Sequence, residues 1–279
     1  MLDAGIHNMG RNTMCELFAM SSEKPQRLGY SLHEFAAHGG LNNQNKDGWG
    51  LALYNRKEAF VVKEAEPADE SPLAHLAEQM RITTRYAMAH IRWATTGDRV
   101  LENTHPFCRV VGGQSIYFAH NGNLDDFVAQ DKSKVAAAML GQTDSEHVFL
   151  NLLRRISDRG YLVALERRIE LIAQFAAEMR GFGTANFLYA DGDVLVGHAH
   201  RRRTIPTGET APGLWLWQAS ETEMPFHWRV PGANIEMIES PTALLASVPL
   251  DNRDWAALKE GDLIILRDGS VLARISAKT

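Results

Sequence analysis

The spacing of apolar residues changes twice along this chain, and that change most limits the folds open to it. Before residue 120 the apolar runs are short and strand-like: ELFAM (16–20), GWGLALYN (48–55), AFVVKE (59–64), YAMAHIRW (86–93) and SIYFAH (115–120). TDSEHVFLNLLRRIS (143–157) and ALERRIELIAQFAAEM (164–179) repeat every three to four residues instead, the spacing of a helix. Short runs then return in TANFLYA, a DG turn, VLVGHAH, LWLWQAS, NIEMI, ALLAS, DLIIL and VLARIS. Two shorter segments carry helix signals. SLHEFAAHGG (31–40) pairs Ser31 with Glu34 as a capping box and stops at Gly39-Gly40. SPLAHLAEQM (71–80) opens with a Ser cap and Pro at the first helical position. Thr143 and Glu146 form a further capping box. Strands, then helices, then strands, with no repeat and no long linker, predict one α+β domain with antiparallel sheets.

Composition excludes several functions. The 279 residues carry 29 basic against 34 acidic side chains, a net charge of −5, which argues against nonspecific nucleic-acid binding. No apolar stretch approaches the ~20 residues of a membrane span. The opening MLDAGIHNMGRNT lacks the basic and apolar regions of a secretory signal. Two cysteines, Cys15 and Cys108, are expected to be free thiols in a cytoplasmic protein.

Five short stretches carry polar residues that chemistry could use, and each also has a plain structural reading. KDGWG (46–50) is a Gly-bearing turn. AHIRWATTG (89–97) ends an apolar strand on Arg92, which needs either a protein carboxylate or a bound anion. NTHPF (103–107) reads as a Pro turn. AHNGNL (119–124) is a hairpin signal, since Asn-Gly suits a type I′ turn. The same dipeptide could offer an amide and an N–H to a developing oxyanion. TDSE (143–146) caps a helix and aims Asp144 outward from its start.

Taken in order, Met14-Cys15, DGWG, HIRWATTG, NTHPF, HNG and TDSE resemble the class II glutamine amidotransferases, a family of N-terminal nucleophile hydrolases. MCEL, KDGWG and ENTHPF are most similar to the small stand-alone bacterial members of the YafJ type. The resemblance spans roughly residues 14 to 155. It implies a four-layer αββα sandwich, two antiparallel sheets between helix layers, formed by residues 15–279 as a single domain. Residues 1–14 would then be an upstream start-site artefact or a propeptide, absent from the active enzyme. Cys15 would be the nucleophile and its own α-amine the base, with a reference pKa of about 7.7–8.0. Asn121 and the Gly122 N–H would hold the oxyanion. Arg92, Trp93, Thr95, His105 and Asp144 would bind the glutamyl group, Arg92 at its α-carboxylate and Asp144 at its α-ammonium.

The implied reaction attacks the γ-amide of L-glutamine, forms a γ-glutamyl thioester and releases ammonia, then glutamate. It needs no cofactor or metal. An ammonia-accepting enzyme would be another chain, because the roughly 125 residues after TDSE resemble no synthase domain. A γ-glutamyl peptide or thiol metabolite could take the place of glutamine. A binding module with a masked nucleophile, sensing glutamine without turnover, is the alternative from another class. Thr96 departs from synthase-linked relatives that carry His there.

Elsewhere, GHAHRRR (197–203) reads as a solvated strand end or as an anion-binding rim, and two His are too few for a zinc site. Trp215 and Trp217 read as core aromatics, and Cys108 as a passive thiol.

Overall fold

The computed structural model describes residues 15–30, 47–55, 57–68, 70–80, 82–93, 97–203, 210–230 and 233–277. The main elements are β1 (Glu16–Tyr30), β2 (Trp49–Asn55), β3 (Glu58–Glu64), α1 (Pro72–Gln79), β4 (Thr83–Ile91), β5 (Phe107–Val111) and β6 (Gln114–Asn123). After these come α2 (Asp144–Ile156), α3 (Leu165–Met179), β7 (Thr184–Ala190), β8 (Leu195–His198) and β9 (Trp215–Gln218). The chain closes with β10 (Thr242–Ala246), β11 (Leu263–Arg267) and β12 (Ser270–Ile275).

Two antiparallel sheets stack face to face. One runs β9-β10-β1-β4-β2-β3, with Ala256–Ala257 beyond β9 and the ribbon Phe226–Val230/Ala233–Ile238 joined to the far half of β1. The other runs β12-β11-β8-β7-β6-β5. Successive side chains on a strand face opposite ways, so each sheet divides its residues between two cores. Leu17 and Ala19 of β1 meet Tyr117 and Ala119 of β6 and Leu188 of β7 between the sheets. Phe18 and Met20 point the other way, toward α1 (Ala74, Ala77) and Trp217 and Trp228. Phe118 and Phe187 face α2 and α3 through Phe149 and Phe175. The order is helix, sheet, sheet, helix, the expected four-layer sandwich.

The helix signals read well. Ser71 Oγ accepts from Ala74 N at 2.9 Å and Pro72 opens α1. Thr143 Oγ1 accepts from Glu146 N at 3.2 Å and caps α2. The reciprocal half of that box is absent. Glu146 turns to Leu140 N (2.9 Å), Gly141 N (2.7 Å) and Arg109. β1 runs ten residues past ELFAM to Tyr30, and its register with β4 shifts between Ser21 and Gln26, a bulge that accommodates Pro25. β5 and Phe226–Val230 were not marked as strands by the sequence pattern. The SLHEFAAHGG helix lies outside the described residues. Among the described residues, no helix is long and apolar enough to cross a membrane.

Candidate active site

Strand parity brings the key residues to one end of the seam between the sheets. Leu17 and Ala19 face the seam, so Cys15 at the head of β1 shares their side. Ala119 faces the seam from β6, and so does Asn121 two residues on. Met88 does so from β4, followed by His90, which pairs across to Leu17.

Cys15 Sγ sits in a two-sided main-chain clamp. It donates to Trp93 O at 3.2 Å and accepts from Trp93 N at 3.1 Å. Part of the residue reaches solvent. Packing around the thiol nevertheless pushes its pKa up to about 11, against the opposing pull of the Trp93 N–H, Arg92 and Arg202. The Asn121 side-chain amide donates to Cys15 O. An amide nitrogen carries two hydrogens, so one remains for a second acceptor.

The Asn-Gly pair is not a turn. Asn121 and Gly122 lie inside β6, opposite Asn186 and Ala185 of β7. Glycine is required at 122 by close approach: a Cβ there would lie 1.9 Å from Thr184 O and 2.7 Å from His120 Nε2. The hairpin reading fails because a strand passing this close to its neighbour needs the same residue that a tight turn needs.

Arg92 is buried and ties two loops together. Nη1 donates to Asp47 O (3.3 Å) and Asp98 O (3.1 Å), and Nη2 to Gly97 O (3.4 Å). Asn103 of NTHPF braces the same loop, donating to Asp98 O at 3.0 Å and accepting from Gln142 N at 2.8 Å. The motif is a 3₁₀ turn over Leu101–Asn103 leading through a cis His105–Pro106 peptide into β5. The His105 ring lies 4.3 Å from that of His90 and 4.4 Å from that of Phe107. Neither nitrogen of either histidine has a hydrogen-bond partner among the described residues. Burial keeps both neutral, with His90 lowered to about 3.

Asp144 opens α2 but does not point outward. Oδ2 accepts from Leu124 N at 2.7 Å, and Oδ1 from Ser145 N at 2.7 Å. The end of β6 crosses the helix start and draws the carboxylate inward. His120 fastens the same junction. Its Nε2 lies 3.1 Å from Thr184 O, which can only accept, so Nε2 carries the proton and Nδ1 accepts from Ser145 Oγ at 2.9 Å.

Cys15, Trp93 and Asn121 are therefore in direct contact, and Asp144 is bonded three residues beyond Asn121. Arg92 is close enough to act on the thiol electrostatically. Thr95 lies outside the described residues. Three further side chains escaped sequence reasoning. Asn186 donates to Asn121 O (3.2 Å) and Arg201 O (2.9 Å) and accepts from His200 N (2.8 Å), which fixes the Asn121 backbone. Its signal was a lone amide inside the apolar run TANFLYA. Glu16 and Arg202 are both fully buried beside Cys15. The GHAHRRR stretch is accordingly no solvated strand end, since His198, His200 and Arg202 are all buried. Among the described residues, no group of three or more His, Cys, Asp or Glu could hold a metal.

A four-layer sandwich with a cysteine at the head of a central strand, opening onto the seam, is the architecture of the N-terminal nucleophile class. Residues 14–279 match the family model described as "Glutamine amidotransferases class-II", and the chain belongs to that family. It is 29% identical over 255 residues to YafJ of Escherichia coli K12, a protein named provisionally as a glutamine amidotransferase. That match covers 89% of this chain and 96% of the relative. A similarly named Haemophilus influenzae protein is 26% identical over 264 residues, 94% of this chain and 87% of the relative. Among solved structures, a Pseudomonas aeruginosa protein described as a glutamine amidotransferase superposes with a TM-score of 0.69 at 26% identity, over 93% of this chain and all of that one. A Bacillus subtilis phosphoribosylpyrophosphate amidotransferase, at 17% identity and a TM-score of 0.59, shares the fold over 94% of this chain and 49% of its own.

Proposed function

We propose that this protein hydrolyses the γ-amide of glutamine, with Cys15 as nucleophile once residues 1–14 are removed. The observation that carries the reading is the contact set of Cys15: a thiol at the head of β1 clamped by Trp93, with the side-chain amide of Asn121 on the Cys15 main-chain carbonyl. The family match beginning at Met14 supports a functional chain that starts at Cys15.

In the proposed reaction the free α-amine of Cys15 takes the thiol proton and Sγ attacks the γ-carbonyl. The oxyanion accepts the second N–H of Asn121 and the Gly122 N–H. The amine returns the proton to the departing ammonia, leaving a γ-glutamyl thioester that water cleaves to glutamate. Arg92 and the loops it ties hold the α-carboxylate, and Trp93, Thr95 and His105 contribute to binding the glutamyl group. Asp144 holds the α-ammonium. His105 is a poor alternative base, because burial keeps it neutral and hard to protonate. The ammonia would pass to an acceptor enzyme on another chain.

An electrophilic glutamine analogue tests this assignment. It should label Cys15 and no other residue, and Cys15→Ala should abolish both labelling and glutamate release. Label on Cys108 alone would overturn the proposal.

A further inference from the structure

Glu16 and Arg202 form a pair that fold stability alone accounts for poorly. Glu16 is 0% exposed and Arg202 1% exposed. Arg202 Nη2 lies 3.8 Å from Glu16 Oε1, close enough for an ion pair but too far for a hydrogen bond. Both carboxylate oxygens of Glu16, and Nε and Nη2 of Arg202, are buried without a hydrogen-bond partner among the described residues. Desolvation of such a pair typically offsets its attraction, so an apolar pair of equal volume would serve the fold as well or better. Its location is the informative feature. Glu16 follows Cys15 directly. Arg202 comes from the ribbon Arg201–Arg203/Thr210–Pro212 and donates to Ser247 O at 3.2 Å. Ser247 in turn bonds Leu17 both ways, through N to Leu17 O and from Leu17 N to Oγ, each at 3.0 Å. Arg202 therefore reaches the head of β1 at two points, Leu17 through Ser247 and, by its ion pair, Glu16 next to Cys15.

We propose that Glu16 and Arg202 are a positioning pair for Cys15: Arg202 anchors the strand head and supplies a cation that favours the thiolate, and Glu16 holds that cation in check. The inference rests on the reading of Cys15 as the reactive residue. The charged groups acting on the thiol are Arg92, from the end of β4, and Arg202. Among the described residues, the charged group acting on Glu16 is Arg202. The groups acting on Arg202 are Glu16 and Cys15. His90 and His105 are held neutral and add no charge. Burial raises Glu16 to about 7, so the pair changes its net charge near neutrality.

The test is alkylation of Cys15 by iodoacetamide in the full chain, read by peptide mass spectrometry with Cys108 as internal control. Glu16→Gln leaves the cation unopposed. It should speed Cys15 alkylation at pH 8 about tenfold, the effect of a one-unit change in thiol pKa from a nearby charge. Adding Arg202→Met to that variant should bring the rate back to within about twofold of the unsubstituted chain. A site merely loosened by the first substitution would not recover with the second. The unsubstituted chain supplies a readout that no folding defect can obscure. Its Cys15 rate should climb less than tenfold per pH unit around pH 7, as Glu16 gains charge, while Cys108 shows no such shoulder. An unchanged or slower rate in Glu16→Gln, no recovery in the double variant, or no shoulder would each overturn the pair. If those results accompany glutamine turnover by the trimmed chain, the pair alone fails. If the pattern holds without turnover, the glutamine reading alone fails.

Discussion

Two buried polar clusters lie at the same end of the sandwich, and they differ in how completely their groups are paired. At the start of α2, Thr143, Asp144, Ser145 and Glu146 are all hydrogen-bonded, to one another, to the β6 end and to Arg109. At the head of β1, Glu16, His90, His105 and Arg202 keep buried nitrogens or oxygens with no hydrogen-bond partner among the described residues. Buried polar groups are nearly always paired, so a concentration of unpaired ones calls for an explanation. The paired cluster is a rigid support: it fixes where β6 ends and hence where Asn121 points, and it holds the Asp144 carboxylate in place. The unpaired groups flank the strand head on both faces of its sheet, His90 on the seam side with Cys15, and Glu16 on the other. Their cost to the fold is explained if these groups serve a bound substrate or tune the nucleophile.

The largest expected effect tests the side chain that links the clusters. Asn121→Ala should lower kcat by about 10²–10³, as loss of an oxyanion donor typically does, with a much smaller change in KM. Steady-state glutamate release by a chain beginning at Cys15 measures both. Unchanged turnover in a folded variant would reduce Asn121 to a strand residue.

The unpaired cluster should also leave a mark on stability. His90 is lowered to about 3 in the folded chain, against about 6.5 unfolded. The folded state therefore binds fewer protons between these values. The stabilisation is complete above pH 6.5 and is lost as pH falls toward 3. From pH 7 to pH 5 that amounts to about 2 kcal/mol. Urea unfolding at the two pH values should find His90→Phe losing about 2 kcal/mol less than the unsubstituted chain. Equal losses would mean that His90 is not buried as described.

The smallest effect belongs to the paired cluster. Thr143→Ala removes the cap of α2 and should cost about 1 kcal/mol. Because Thr143 sits in scaffold, kcat should fall little at temperatures where the variant stays folded. A large drop in kcat with stability intact would break the division between the two clusters.

The fold was largely legible because its signals are local. Short apolar runs marked β2, β3, β4 and β6, and the Ser71 and Thr143 caps marked two helix starts. β1 was read short because a bulge, which depends on its neighbour β4, carries the strand past Pro25. Where Asn121-Gly122 was misassigned, the local signal was real but ambiguous, since close strand approach and a tight turn both demand glycine. The Glu16–Arg202 pair was invisible for another reason: 185 residues separate its partners, and no local pattern encodes that meeting. A charged residue beside an apolar strand looks solvated until the partner strand covers it.

Two chains compared side by side decide whether Cys15 works from a free amine. A chain beginning at Cys15 and a chain retaining residues 1–14 are assayed for glutamate release from glutamine, with both N-termini checked by mass spectrometry. In the longer chain the Cys15 nitrogen is an amide without amine basicity, and the thiol stays protonated with a pKa near 11. Turnover is expected from the chain that begins at Cys15 and none from the longer one. Equal rates from a chain proven to keep Met1 would contradict the free-amine mechanism.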